Sequence, residues 1–271
     1  YLITDEKISE FQILKKISKK KNLKLITINR KKIIEDLSLI NLVGSFQIKN
    51  LCMAILAAQV CGLKLDKINL TLNRIVSVEG RLQLTRTLGN KTKIFIDYAH
   101  TPDALLTAVK TLKEYYGNNI NLIFGCGGDR DKKKRPLMAK IANRYCKKVY
   151  ITDDNPRNEN PSKIRKLLIN NIAKNKVIEI SNRTKCIVSA IQNSKPFEVI
   201  LIAGKGHETI QDYGIKKLNI SDKSVVNKTK FKQKKISSKE LNYEWNSEII
   251  KKIINKKNTF KFQGVSINSK N

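Results

Sequence analysis

A doubly wound, mostly parallel α/β sheet is the fold predicted from about residue 93 onward. Short apolar runs fall at Ile94–Ile96, Ile120–Phe124, Val149–Ile151, Val177–Ile180 and Val199–Ala203. Helical segments lie between them near 103–116, 136–146, 162–174 and 183–193. Apolar strands alternating with helices of roughly 10–15 residues form βαβ units, whose strands run parallel. One such run alone also reads as a buried helix fragment, but five in alternation do not. A third observation agrees. The chemically distinctive residues directly follow the strands, on the edge where open α/β sheets bind ligands.

Upstream, a short strand (Tyr1–Thr4), a lysine-rich helix (Lys7–Lys19) and a second strand (Leu23–Ile28) are expected. An apolar helix from about Asn50 to Val60 stops at Cys61-Gly62, since glycine suits a helix C-terminus. Residues 67–76 read as another short helix, and the Glu79-Gly80-Arg81 turn as a domain boundary. The expected units are therefore 1–79, part of an α/β domain, and 80–222, the doubly wound domain. Residues 223–240, rich in Lys and Ser, read as a linker. In 241–271 a short amphipathic helix around Trp245 precedes the strand-like Phe260–Lys270. The chain opens on Tyr1 without a signal peptide, which suggests a start inside a longer protein.

Of 271 residues, 41% are hydrophobic and 28% charged, enough apolar material for a packed core. No run approaches the roughly 18 uncharged apolar residues of a membrane span. The net charge of +31 invites a nucleic-acid reading, but only 10 of the 54 basic residues are arginine, the side chain suited to two-pronged base and phosphate contacts. Aromatics total 6% and do not interleave with basic runs, so no specific nucleic-acid partner is expected. Five cysteines without a CxxC pair read as reduced thiols of a cytoplasmic protein. With only two histidines, no metal site is expected within the chain.

Four loops carry the chemistry: Asp97-Tyr98-Ala99-His100, Gly125-Cys126-Gly127-Gly128-Asp129-Arg130-Asp131, Asp153-Asp154-Asn155-Pro156-Arg157 and Gly204-Lys205-Gly206-His207-Glu208. Lying on one sheet edge, they predict a single shared site. The glycines allow close backbone approach to a ligand, and Arg130 and Arg135 could grip a carboxylate or phosphate. Asn155-Pro156 forces an extended or turn geometry that aims Arg157 over the strand ends. Arg157 with Glu208 offers one cation and one anion, a pair suited to a zwitterionic amino acid; the alternative is that the two neutralise each other. Lys205 reads as a phosphate partner or a solvated lysine.

Together these segments resemble the Mur ligase family. The matching stretches are Gly44–Asn50, Val78–Arg81, Asp97–Asp103, Phe124–Asp131 with Lys134-Arg135-Pro136, Asp154–Arg157, and Gly204–Glu208 with Gln211. The resemblance implies a Rossmann-like C-terminal domain preceded by the end of an α/β ATPase domain. It implies ATP and Mg2+, and an amide ligase acting through an acyl phosphate on UDP-N-acetylmuramoyl-dipeptide. Asn50, Arg81, Asp97 and His100 would serve the nucleotide. Arg130, Asp154, Asn155, Pro156, Arg157, Gly204 and Glu208 would hold the incoming amino acid. Family members that take meso-diaminopimelate carry Asp-Asn-Pro-Arg, as here, and Arg157 would meet the second carboxylate that lysine lacks.

The family's GxxGKT-type phosphate loop, its UDP-binding domain and its modified lysine have no counterpart in residues 1–271, and Gln47 stands where asparagine is usual. The expectation is weak ligand binding and no turnover by this chain alone. The tail resembles the opening of the ligase acting next in the same pathway, with Asn268 and Lys270 in place of an acid and an arginine, so a fusion to that enzyme is expected. Three alternatives remain: a folylpolyglutamate synthetase-like ligase, a non-catalytic amino-acid-binding module and a nucleic-acid-binding module.

Overall fold

The computed structural model describes residues 1–28, 42–231, 261–262 and 265–266. The 80–231 region is built on a six-stranded sheet of order β3-β4-β8-β5-β6-β7. Its strands are β3 (Gln83–Thr87), β4 (Lys93–Asp97), β5 (Ile120–Phe124), β6 (Lys148–Ile151), β7 (Val177–Glu179) and β8 (Val199–Ala203). Only β3 runs antiparallel, on the edge beside β4; every other pairing is parallel.

Side chains alternate across the sheet with the period of two that strands impose. Phe95, Leu122, Phe124, Val149, Ile151, Leu201 and Ala203 face one core. Ile94, Ile96, Ile123, Tyr150, Ile200 and Ile202 face the other. The first core is covered by α4 (Pro102–Tyr116), α5 (Lys134–Tyr145) and α6 (Pro161–Ile169), through residues such as Leu105, Met138 and Leu168. The second is covered by α7 (Arg183–Gln192) and α8 (Asp222–Lys228), through Ile187, Ile191 and Val226. The split follows from crossover handedness. Connections from β4 to β5, β6 and β7 step one way along the sheet, whereas β7 to β8 steps back, so α7 falls on the opposite face.

Helix starts are written in the sequence. Thr101, Asn160, Asn182 and Ser221 cap α4, α6, α7 and α8 with a side-chain oxygen accepting from a backbone N–H, and Pro102 and Pro161 occupy first helical positions. The loss of such a cap costs about 1 kcal/mol.

Residues 1–28 and 42–75 form a smaller unit. Parallel strands β1 (Leu2–Thr4) and β2 (Leu25–Thr27) flank α1 (Phe11–Lys20), and α2 (Ser45–Val60) and α3 (Leu65–Asn69) share a third core around Cys52, Ile55 and Leu72. The α2 helix begins five residues earlier than expected. The stretch 67–76 is not one helix but α3 and a 3-10 turn at Leu72–Arg74. The unit meets the larger domain where Gly44 packs on Thr111 and the buried Gln47 donates to the Arg81 carbonyl at 3.2 Å.

Three elements depart from expectation: the edge strand β3, a hairpin of β9 (Ile210–Tyr213) and β10 (Lys216–Asn219), and α8. The last corrects the linker reading at its start, because 222–228 is a helix with Asp222 and Val226 buried. Two short tail strands, β11 (Lys261–Phe262) and β12 (Val265–Ser266), pair antiparallel. The helix expected at Trp245 lies outside the described residues.

Candidate active site

The loops after β4, β5, β6 and β8 converge on the carboxyl edge of the sheet, as their positions predict. They build two adjoining groups. The first lies where the two units meet. The Arg81 guanidinium stacks 4.7 Å over the Tyr98 ring, whose other neighbours are the rings of His100 at 4.7 Å and His207 at 5.7 Å. Lys134 donates to the His100 carbonyl at 2.9 Å. A Cβ on Gly80 would collide with the backbone of Gly206 and His207, so the 79–81 turn and the β8 loop are in direct contact.

Three cationic or basic side chains around one aromatic ring, with Lys134 beside His100, suit an anion with a flat base, as in a nucleotide. Asp97 lies behind them, buried, accepting from the Leu82 and Ala99 backbone N–H groups at 2.5 and 2.7 Å. Burial raises its pKa, and the two hydrogen bonds partly oppose that rise. Asp97 thus clamps the chain at the domain junction. Asn50 sits exposed on α2, and no side-chain hydrogen bond or ion pair among the described residues ties it to this group.

The second group is the loop after β6 held between its neighbours. Asn155 is its hinge. Its side-chain oxygen accepts from the Asp212 backbone at 2.9 Å, its amide nitrogen donates to Glu208 at 3.0 Å, and its carbonyl accepts from Gly128 N–H at 2.9 Å. Arg157 takes a left-handed backbone, φ 49°. Its guanidinium donates to the Gly128 carbonyl at 2.8 Å and lies 4.0 Å from the Asp212 carboxylate. Pro156 is buried beneath, and a Cβ on Gly128 would strike its carbonyl. Gly204, at φ 111°, leaves room for the Asp154 carboxylate; a Cβ there would lie 2.6 Å from Oδ2.

Arg157 and Glu208 do not neutralise each other. Each has its own partner, Asp212 for one and Lys205 at 3.6 Å for the other. Arg130 is exposed, and among the described residues its side chain donates to the neighbouring Asp129 carbonyl at 3.5 Å.

A family model described as "Mur ligase, glutamate ligase domain" matches residues 80–206. The chain thus carries a Mur ligase domain. It is 40% identical over 249 residues to the UDP-N-acetylmuramoyl-L-alanyl-D-glutamate–2,6-diaminopimelate ligase of Rickettsia felis, covering 83% of this chain and 46% of that protein. A solved structure of an enzyme of that name matches 70% of this chain and 39% of its own, at 34% identity and TM-score 0.56. A folylpolyglutamate synthase from Thermotoga maritima, 20% identical with TM-score 0.56 over 75% of this chain and 51% of its own, shares the fold. The chain spans about half the length of the curated relatives it matches.

Within the Mur ligase domain, two expectations about single residues change. Arg135 does not face a ligand. It is 1% exposed, donates in two-pronged fashion to Glu159 at 2.8 and 3.0 Å, and bonds the Gly127 carbonyl at 3.0 Å. Its role is to close the glycine loop. Lys205 is not solvated but wholly buried, its ammonium bonded to the Ile210 carbonyl.

Sequence reasoning missed Glu159, Asp212, Arg183 and Asp222. Arg183 and Asp222, both 0% exposed, form a two-pronged pair at 2.7 and 2.8 Å beneath the site. Their types carried a signal, since an arginine at a helix N-terminus opposes the helix dipole and needs an acid nearby. Among the described residues no group of three or more His, Cys, Asp or Glu side chains could hold a metal ion.

Proposed function

We propose that this chain is the amino-acid-binding part of an ATP-dependent amide ligase that adds meso-diaminopimelate to UDP-N-acetylmuramoyl-L-alanyl-D-glutamate in peptidoglycan precursor synthesis. In this reading ATP is a substrate, and the Mg2+ that accompanies it enters through the nucleotide's phosphates. The γ-phosphoryl group passes to the dipeptide carboxylate, the neutral amine of the incoming amino acid attacks the acyl carbon, and phosphate leaves with the C–O bond. Such a reaction needs positioning and charge stabilisation rather than a protein nucleophile.

One observation carries the reading: Asn155 bonds both neighbouring loops, so that a guanidinium, Arg157, and a carboxylate, Glu208, are held apart on one sheet edge. An amino acid with a second carboxylate matches that pair. Glu208 would accept from an ammonium, Arg157 would grip a carboxylate, and Arg130 on the glycine loop would reach a second. Asp154, Pro156 and Gly204 would shape the cradle, while Arg81, His100 and Asp97, with Asn50 on the facing helix, would serve the nucleotide. The free thiols of Cys61, Cys126, Cys146 and Cys186 fit a cytoplasmic setting. No described helix is long and apolar enough to cross a membrane.

The test is ligation by the full reading frame carrying this chain, with each component omitted in turn. Product that requires ATP, the UDP-linked dipeptide and meso-diaminopimelate together is expected. Absence of product with every amino acid supplied would overturn the reading and favour a binding module.

A further inference from the structure

Lys205 is the one residue of the β8 loop whose role the foregoing leaves open, and its surroundings are unusual. Its side chain is 0% exposed, and its ion pair among the described residues is with Glu208. The ammonium bonds the Ile210 carbonyl and stands 3.6 Å from Glu208 Oε2. Glycines on both sides, Gly204 at φ 111° and Gly206 at φ 54°, turn the backbone so that this side chain points inward. Burial lowers its pKa, and the nearby Asp154 and Glu208 oppose that fall.

The charges around it alternate from the interior to the mouth of the site. Asp222 pairs with Arg183, Arg183 stands 4.0 Å from Asp154, Asp154 lies against Gly204, and Lys205 faces Glu208. The set holds three carboxylates and two cations. The uncompensated negative charge lies toward Glu208, whose side chain is 33% exposed whereas Lys205 and Arg183 are 0% exposed. One more cation, delivered from solvent, would complete the alternation.

We propose that Lys205 is a positioning residue for the incoming amino acid: with Asn155 it fixes the Glu208 carboxylate so that its open side meets a substrate ammonium. The inference rests on the ligase reading and deepens it. Asn155 holds one Glu208 oxygen at 3.0 Å with an uncharged amide donor. Lys205 supplies the charge that draws the Glu208 carboxylate inward, from a place where solvent does not screen it.

A double-mutant cycle in the full-length enzyme tests this, using Lys205→Met, Glu208→Gln and the combination, with melting temperatures recorded for each. Lys205→Met is expected to raise KM for meso-diaminopimelate about tenfold, the scale of a lost charge-assisted contact. KM for ATP and for the UDP-linked dipeptide should stay within about twofold, and in the Glu208→Gln background the same change should alter KM by less than about twofold. A purely structural lysine would give multiplicative effects in the cycle, or raise all three KM values together, and either result overturns the proposal. An inactive wild type would instead remove the ligase reading itself. If Lys205→Met does not fold, Glu208→Gln alone decides. It must raise KM for the amino acid at least as much as the proposal assigns to Lys205, and an unchanged KM overturns it.

Discussion

Asp222→Asn removes the negative charge from the most deeply buried ion pair of the domain while keeping its shape. Arg183 would remain wholly buried, with Asp154 at 4.0 Å as its remaining nearby counter-charge. Burial opposes the arginine's charge, but Asp222 more than offsets it, so its pKa lies above the ordinary value. A guanidinium is not deprotonated in proteins, so it stays charged when its partner is lost. Stranding a buried charge in this way costs about 3–5 kcal/mol. At a urea slope near 2 kcal/mol per molar, the unfolding midpoint followed by circular dichroism should fall by about 1.5–2.5 M. The double replacement Arg183→Met with Asp222→Leu should recover at least half of the loss, because two apolar side chains can fill the same space. A midpoint within about 0.3 M of wild type in Asp222→Asn would refute the reasoning. It would mean that water reaches Arg183, or that the pair holds nothing together.

Three further outcomes follow from the same packing. Gly128→Ala places a Cβ against the Pro156 carbonyl; at roughly 1–3 kcal/mol for such overpacking it should lower the melting temperature by about 3–10 °C, and an unchanged melt would show that the loop yields freely. Glu159 is held well below its ordinary 4.5, at about 2, by its hydrogen bonds to Arg135. Its folded pKa is the depressed one, so its stabilisation is complete above about pH 4.5 and is lost as pH falls toward 2. Stability should then fall less steeply over that window in Glu159→Gln, and equal slopes would contradict the pairing. Burial pushes the Cys126, Cys146 and Cys186 thiols up to about 12, whereas Cys61 is exposed. Native thiol titration should therefore show one fast cysteine, lost in Cys61→Ser; several fast thiols would indicate an open core.

The parallel strands were legible because apolar runs such as Leu122–Phe124 and Val199–Ala203 are buried on both faces and therefore read as unbroken hydrophobic segments. The edge strand β3, Gln-Leu-Thr-Arg-Thr, was not, since one face meets solvent and no apolar run marks it. The β9–β10 hairpin and α8 escaped for the same reason. Their apolar content is one or two side chains each in a lysine-rich stretch, and their burial comes from what they lean on, with Gln211 donating to the Asp153 carbonyl and Val226 lodged in the second core.

At the site, topology alone placed the four loops together. It did not show which side chains meet, because that depends on the sheet order bringing β8 between β4 and β5. Arg135 looked like an anion grip because its partner Glu159 stands 24 residues onward, in a different loop. Lys205 looked solvated because composition made every lysine look so.

In the proposed reading, Arg157 meets a second carboxylate on the incoming amino acid. The most direct test of that contact compares kcat/KM for meso-diaminopimelate and L-lysine in the full-length enzyme and in Arg157→Ala. The wild type should prefer diaminopimelate, and the variant should lose roughly 2–4 kcal/mol of that preference, about 30-fold or more. A preference unchanged by the substitution, or a wild type that takes lysine equally well, would contradict the account.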